Sequence, residues 1–205
     1  MRKSFVVAGL LLLTTGSALA QGEFPKVETA PAFMFIHTTP PGAGQGVNCA
    51  GGGGTLAYNL TSMLGIAADL GGCRIFGYLP SGSALSNKIT GNEFTFLFGP
   101  RLTFRNSSPF RPFFDLNWGG ARVSLSCNDN TRCSGTSFAK TAFAMTVGGG
   151  FDIKLSKKFS LRPVQAEYLY TRFGNSCPYT VCTNNNNQNS FRLKSGVVVA
   201  WGGTN

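Results

Sequence analysis

The segment from Glu93 to Phe104 alternates between apolar and polar side chains. Glu93 and Arg101 lie on one parity, and the other parity is almost entirely aromatic or leucine, at Phe94, Phe96, Phe98, Leu102 and Phe104. A period of two residues is typical of a β-strand with two chemically different faces. The pattern alone does not decide which of these faces points into the protein.

Seven further stretches have the composition of strands, so the sequence predicts eight. The first is the least regular, because Pro31 interrupts it and both parities carry bulky apolar residues. Its register therefore stays open. The predicted strands are 27–38, 52–59, 63–73, 93–105, 110–125, 138–154, 159–173 and 190–201.

The connections between these strands alternate in length. Tight turns at 60–62, 106–109 and 155–158 fall at one end, and long loops at 39–51, 74–92, 126–137 and 174–189 fall at the other. Short periplasmic turns opposite long extracellular loops are typical of outer-membrane barrels. The chain is therefore predicted to be all-β, an eight-stranded antiparallel up-and-down transmembrane β-barrel.

The N-terminus has the pattern of an export signal. Basic Arg2 and Lys3 precede an apolar run at 5–13, and Ala18-Leu19-Ala20 resembles a small-residue cleavage site. The run is too short to cross a hydrocarbon core of about 30 Å. We expect residues 1–20 to be a cleaved signal peptide and residues 21–205 to form one barrel domain.

The formal charge is +10 for the whole chain, and loss of Arg2 and Lys3 would leave +8. The basic residues are spread along the sequence, without the clustered patch and stacking aromatics that nucleic-acid binding requires. Anionic lipids, including those of the lipopolysaccharide type, are the partners that this charge favours.

Strand parity divides the remaining strands into an apolar and a charged face. In a soluble barrel the charges would occupy the centre at several kcal/mol per ion, whereas a membrane barrel has a polar lumen. The predicted lumen residues are Asp69, Glu93, Arg101, Asp115, Asn117, Asp152, Gln165, Glu167, Arg192 and Lys194. The predicted lipid-facing residues include Leu64, Ile66, Leu70, Phe110, Phe114, Leu116, Trp118, Phe143, Met145, Val147, Val164, Tyr168, Tyr170, Phe191, Leu193, Val197, Val199 and Trp201.

The six cysteines fall toward the long-loop end of this layout. Cys127 and Cys133 share the third long loop, and Cys177 and Cys182 share the fourth. Cys49 and Cys73 are nearly equidistant from the tight turn between them, so a hairpin would bring them level. An oxidising environment permits all three disulfides. Zinc is disfavoured, since the sequence has neither Cys-x-x-Cys nor a Cys/His cluster.

The sequence carries no recognisable catalytic motif. His37 is the single histidine, and neither a Gly-x-Ser-x-Gly elbow nor a metalloprotease or phosphate-loop pattern is present. We therefore predict no enzyme activity, no catalytic residue, no metal and no cofactor. A lipid-modifying enzyme using His37 with a serine and a carboxylate remains an alternative.

Three motif groups carry a family resemblance: Thr95-Phe96-Leu97-Phe98-Gly99-Pro100-Arg101, Phe143-Ala144-Met145 with Gly148-Gly149-Gly150-Phe151-Asp152, and Arg162-Pro163-Val164-Gln165-Ala166-Glu167-Tyr168 with Thr171-Arg172-Phe173. Over about residues 93–201 the chain resembles the small outer-membrane β-barrel domain family, related in architecture to OmpA and OmpX. The resemblance implies an integral protein of the bacterial outer membrane. It also implies the barrel-assembly machinery as a partner during biogenesis.

These observations together predict a structural or cell-surface interaction role. Paired charges would plug the lumen, and an interior of eight strands is about filled by its own side chains. An extracellular ligand could bind at the long loops. The rival of a different class is a soluble lipocalin-like carrier, which would turn its apolar parities inward around a small ligand.

Overall fold

Eight antiparallel strands form a closed barrel in the computed structural model, which describes residues 24–39, 46–79, 87–127, 137–173 and 187–202. For strand residues 77–79, 87–89, 125–127, 137 and 138 only the backbone is described. The strands are β1 Val27–Thr38, β2 Val47–Asn59, β3 Leu64–Leu79, β4 Asn87–Thr103, β5 Phe110–Cys127, β6 Ser137–Lys154, β7 Phe159–Arg172 and β8 Asn187–Trp201.

Each strand pairs with its neighbours in sequence, and β1 closes the barrel against β8. The predicted fold is confirmed, and β1 has the predicted bounds. Closure pairs the backbone groups that an open sheet would leave at its edges, as a hydrocarbon environment requires. Within the described ranges, no helix is long and apolar enough to cross a membrane.

The predicted strand ends were wrong on the long-loop side. β2 starts at Val47 instead of residue 52, β3 continues to Leu79 instead of 73, and β4 starts at Asn87 instead of 93. Backbone pairing continues through these segments because a neighbouring strand is present on each side. The parity of the side chains carries no information about this pairing.

The outer wall of the barrel is apolar. Phe33, Leu70 and Phe98 are exposed by 61%, 54% and 54%. None of the predicted lipid-facing residues is buried. This arrangement is the opposite of a lipocalin-like carrier, whose apolar parities would face inward. A wall of this kind suits the hydrocarbon layer of a membrane.

The first strand resolves its ambiguous pattern by turning its even parity inward. Met34 and Ile36 are 1% and 0% exposed, and the odd-parity Phe33 lies on the wall. The Met34 side chain needs the glycine at position 71. A Cβ built there would lie 2.9 Å from both the Sδ and Cε atoms of Met34.

An irregularity in β7 changes which parity faces inward. The register of β7 against β8 shifts between Arg162 and Gln165, and that of β6 against β7 shifts between Phe151 and Ile153. Arg162 and Gln165 are three positions apart, so a regular strand would point them to opposite faces. Because of the bulge, both point into the lumen, and each is 1% exposed. Pro163, which cannot donate to a ladder hydrogen bond, lies within this bulge.

Candidate functional site: the barrel interior and wall

The half of the lumen nearest the short turns is filled by ion pairs. Arg101 on β4 and Asp115 on β5 are direct register partners, and their side chains form a two-pronged contact. Arg101 Nε donates to Asp115 Oδ1 and Nη2 donates to Oδ2, each over 2.7 Å. Both residues are 1% exposed, so the pairing compensates two charges withdrawn from water.

A second ion pair makes the same two-pronged contact beside Phe113. Arg162 donates to Asp152 through Nε over 2.7 Å and through Nη2 over 2.9 Å. The Phe113 ring contacts both guanidinium groups, with its centroid 4.6 Å from Cζ of Arg101 and 4.2 Å from Cζ of Arg162. An aromatic face attracts a cation, so Phe113 holds the two arginines together.

Gln165 connects this layer to the next group of charges. Its side-chain oxygen accepts from Arg162 Nη1 over 3.0 Å. Its amide nitrogen donates to Asp115 over 3.2 Å and to Glu167 over 3.0 Å. A neutral amide that both donates and accepts can thus link a cation with two carboxylates.

Arg192 is the centre of the next layer. Its Nε donates to Glu167 over 2.7 Å, and its Nη1 lies 3.0 Å from Asp69 Oδ1. Lys194 contacts the same two carboxylates, with Nζ 3.3 Å from Glu167 and a direct hydrogen bond to Asp69. Two cations and two anions therefore balance in a group that is almost fully buried.

The half of the lumen nearest the long loops is mainly apolar instead, apart from residues such as Thr38 and Ser190, which hydrogen-bond to each other near the strand ends. Its buried cluster consists of Met34, Ile36, Val47, Cys49, Cys73, Ile75, Leu97, Ala121, Ala144 and Leu169. The prediction that charges of both signs line the lumen accounts for one half only. Met34 and Ile36 come from the strand whose pattern was ambiguous, and Leu97 lies on the charged parity of β4.

A disulfide joins Cys49 of β2 to Cys73 of β3 inside this apolar half. The two residues are not level, because Cys73 is the register partner of Gly51. Both strands continue past the cysteines, so the bond lies within the barrel and not at its rim. The other proposed pairs fall outside the described residues: Cys133, Cys177 and Cys182 lie in the loops, and only the backbone of Cys127 is described.

Glu93 lies in the apolar half and differs from the other lumen acids. It is 7% exposed, and in the described part of the chain no cation lies within ion-pair distance of it. Its carboxylate and the Cys49 and Cys73 sulfurs lie within 4.8 Å of one another. Since the disulfide occupies both sulfurs, this group offers a metal only one ligand.

The structure buries all the lumen residues that strand parity selected. Ion pairs or hydrogen bonds join eight of the nine members of the predicted charge network, and Glu93 is the exception. Asn117 is buried as well, and neither of its amide atoms has a partner among the described residues. Sequence reasoning missed Arg162, because the bulge at Pro163 reverses the parity. It also missed the pair of Glu28 and Arg105, which lie 3.0 Å apart at the short-turn end.

His37 lies on the outer wall, near the long-loop end of β1. Its Nδ1 is 2.7 Å from the side-chain oxygen of Asn48 on β2. Among the residues that the structure describes, no serine hydroxyl or carboxylate contacts the imidazole. The described residues therefore do not bring together the serine, histidine and carboxylate that the enzyme alternative requires.

The acidic residues are distributed very unevenly. The chain has eight, of which Glu28, Asp69, Glu93, Asp115, Asp152 and Glu167 are buried inside the barrel. The remaining two, Glu23 and Asp129, lie outside the described residues. Every charged side chain that the described wall exposes is therefore basic.

These features define a membrane barrel with an apolar wall and buried ion pairs in its lumen. Residues 5–198 match the model of the outer membrane protein beta-barrel domain, and the chain belongs to that family. The family places the protein in the bacterial outer membrane. Comparison with curated proteins gave no significant match.

Several solved structures are similar in fold. Neisserial surface protein A has a TM-score of 0.58 at 15% identity, covering 88% of this chain and 100% of that one. The attachment invasion locus protein Ail of Yersinia pestis has a TM-score of 0.49 at 14% identity, covering 84% and 99%. OprG of Pseudomonas aeruginosa has a TM-score of 0.45 at 14% identity, covering 86% and 96%. At these identities the likeness concerns the fold alone.

Proposed function

We propose that this protein is a closed outer-membrane barrel with a structural or cell-surface interaction role, whose lumen is plugged by its own side chains. The observation that carries the proposal is the continuous paired network from Arg101 to Lys194. A water-filled channel would leave such charges solvated, whereas here their hydrogen-bonding groups are directed at one another. The apolar cluster at the long-loop end adds a second obstruction.

Conductance tests the plug. The protein is refolded into lipid vesicles, and faster gel mobility of the unboiled sample establishes that the barrel is closed. Planar-bilayer recording should then show no stable conductance steps for the native chain. A variant that combines Arg192→Ser with Lys194→Ser removes both cations of the central group and should produce measurable leakage. Stable large steps from the native chain would refute the plug without affecting the barrel assignment.

The surface role rests on the loops at one end of the barrel. We include in the proposal the Cys127–Cys133 and Cys177–Cys182 disulfides, which would brace two of these loops around an extracellular ligand. The proposal contains no catalytic step. Export by a cleaved signal peptide and assembly by the barrel-assembly machinery complete it, and anionic lipids of the lipopolysaccharide type would be neighbours of the wall.

A further inference from the structure

Three exposed arginines lie on the outer wall at the long-loop end of alternate strands. Arg74 is on β3, Arg122 on β5 and Arg172 on β7, and we call these three residues the arginine belt. On each strand the outward row nearer the short turns is largely apolar and includes Ile66, Trp118 and Tyr168. A guanidinium is costly in hydrocarbon, so its position on such a row marks where the hydrocarbon ends.

The arginine belt lies at nearly one height. β3, β5 and β7 all begin at the short-turn end, and the arginines follow the first residues Leu64, Phe110 and Phe159 by ten, twelve and thirteen positions. At about 3.3 Å per residue and a strand tilt of about 40°, these distances span roughly 25–33 Å of membrane normal. The hydrocarbon core has about this thickness. The arginines therefore lie in the headgroup layer above it.

Aromatic neighbours support this placement. Phe94 is the register partner of Arg122, and Phe143 is the register partner of Arg172. Both phenylalanines face outward and are exposed by 47% and 50%. Aromatic rings beside long cationic side chains are typical of a membrane interface, where the stem packs on apolar surface and the charge reaches the headgroups.

The belt also has unused binding capacity. Within the described ranges, none of the three arginines forms an ion pair or a side-chain hydrogen bond. The described acids are all buried inside the barrel and cannot serve as partners. Each guanidinium therefore presents its donors outward, in a layer where phosphate groups are available.

The two rims of the barrel differ in their cations. At the short-turn end the exposed cations include Lys154 at the end of β6 and Lys157 and Lys158 in the turn after it, whereas Arg105 at this end is paired with Glu28. Arginine presents a planar fork that binds phosphate through two parallel hydrogen bonds, whereas lysine acts as a point charge. The long-loop rim is thus the one equipped for specific phosphate contacts.

We infer that the arginine belt binds the phosphates of a phosphorylated glycolipid of the lipid A type in the outer leaflet. The inference rests on the proposed membrane function and on its assignment of the long loops to the cell surface. Adjacent belt members are separated by one strand, so they lie about 10 Å apart across the sheet. That spacing allows two guanidiniums to contact separate phosphates of one multi-chain lipid.

Binding of bisphosphorylated lipid A to the native barrel in nanodiscs tests the inference. The belt variant combines Arg74→Gln, Arg122→Gln and Arg172→Gln. The matched control combines Lys154→Gln, Lys157→Gln and Lys158→Gln, which removes the same charge from the other rim. We expect the belt variant to bind at least about tenfold more weakly, and the control to stay within about twofold of the native protein.

Two lipid probes identify the phosphate source. Dephosphorylated lipid A should lose the affinity of the bisphosphorylated form, and phosphatidylglycerol should bind the native barrel more weakly than lipid A. Equal loss in the belt and control variants, or equal binding of dephosphorylated lipid A, would overturn the inference. Equal affinity for phosphatidylglycerol would assign the belt to phospholipid and overturn it also. Both variants should migrate faster in a gel unboiled than boiled, which shows that the barrel has folded. Weaker lipid binding by the belt variant can then be attributed to the loss of the arginines.

Discussion

The two halves of the lumen fill the same kind of space with different chemistry. Near the short turns, arginine, lysine and carboxylate side chains interlock through direct ion pairs. Near the long loops, Met34, Ile36 and Leu169 pack around a disulfide, as in the core of a soluble protein. The first half depends on hydrogen-bond geometry, and the second depends mainly on shape and volume.

This difference affects how each half specifies the fold. Arg101 and Asp115 are direct register partners, so a slip of one residue between β4 and β5 would move one of them to the lipid side. The charged half therefore penalises every wrong register strongly. An apolar residue that moves to the wall meets hydrocarbon at little cost, so the apolar half discriminates less. We conclude that the charged half fixes the register.

The largest effect should come from breaking the charged half at its centre. Arg192→Met leaves Lys194 as the one cation in contact with the carboxylates of Glu167 and Asp69. Loss of one partner from a buried ion-pair group costs about 3–5 kcal/mol. We expect a lower urea midpoint for unfolding, measured in lipid vesicles by the loss of heat-modified mobility. Arg172→Met, the same exchange on the wall, should change stability by only about 0.5 kcal/mol. Equal effects of the two exchanges would show that the network does not stabilise the barrel.

Much of this organisation was predictable from the sequence. Alternation identified eight strands, and the short and long connections gave the topology, because both are local properties. Parity also found ten buried lumen residues. It failed at Arg162, because a bulge changes the inward parity without changing the alternation on either side. A proline within a strand is the signal that would have located it.

The apolar half of the lumen could not be predicted in the same way. Met34 and Ile36 resemble lipid-facing residues, since a membrane barrel accepts apolar side chains on both sides of its wall. Only the closing partner strands decide which side they take. The strand ends past residues 52, 73 and 93 depend on the same partners. Long-range strand pairing therefore determines the direction of these side chains and the strand ends, which the local pattern does not.

The disulfide provides a second, smaller test, this time in the apolar half. Replacing Cys49 and Cys73 together by alanine keeps the site apolar and removes a cross-link between residues 24 positions apart. Loss of a loop closure of this size should lower the free energy of unfolding by about 3 kcal/mol. The urea midpoint measures the loss of stability. Thiol labelling of the unsubstituted protein after unfolding checks that the Cys49–Cys73 bond is present. Labelling of both cysteines without a reductant would contradict it.

The smallest effect should come from neutralising Glu93 in the apolar half, and the same exchange at Glu167 in the charged half is its matched comparison. Glu167 accepts hydrogen bonds from Arg192 and Gln165, so Glu167→Gln removes a paired charge and should cost about 3 kcal/mol. Glu93 has no cation at ion-pair distance among the described residues and lies beside the disulfide. An ionised carboxylate at this position would be withdrawn from water without direct compensation.

Glu93→Gln keeps the shape and leaves no group that could carry an uncompensated charge. We expect stability to stay the same or to rise by about 1 kcal/mol, measured by urea unfolding beside Glu167→Gln. The same chemical change would then have little effect in the apolar half and a destabilising one in the charged half. If Glu93→Gln destabilised the barrel as much as Glu167→Gln, Glu93 would belong to the paired network, and the charged region would extend through the whole lumen.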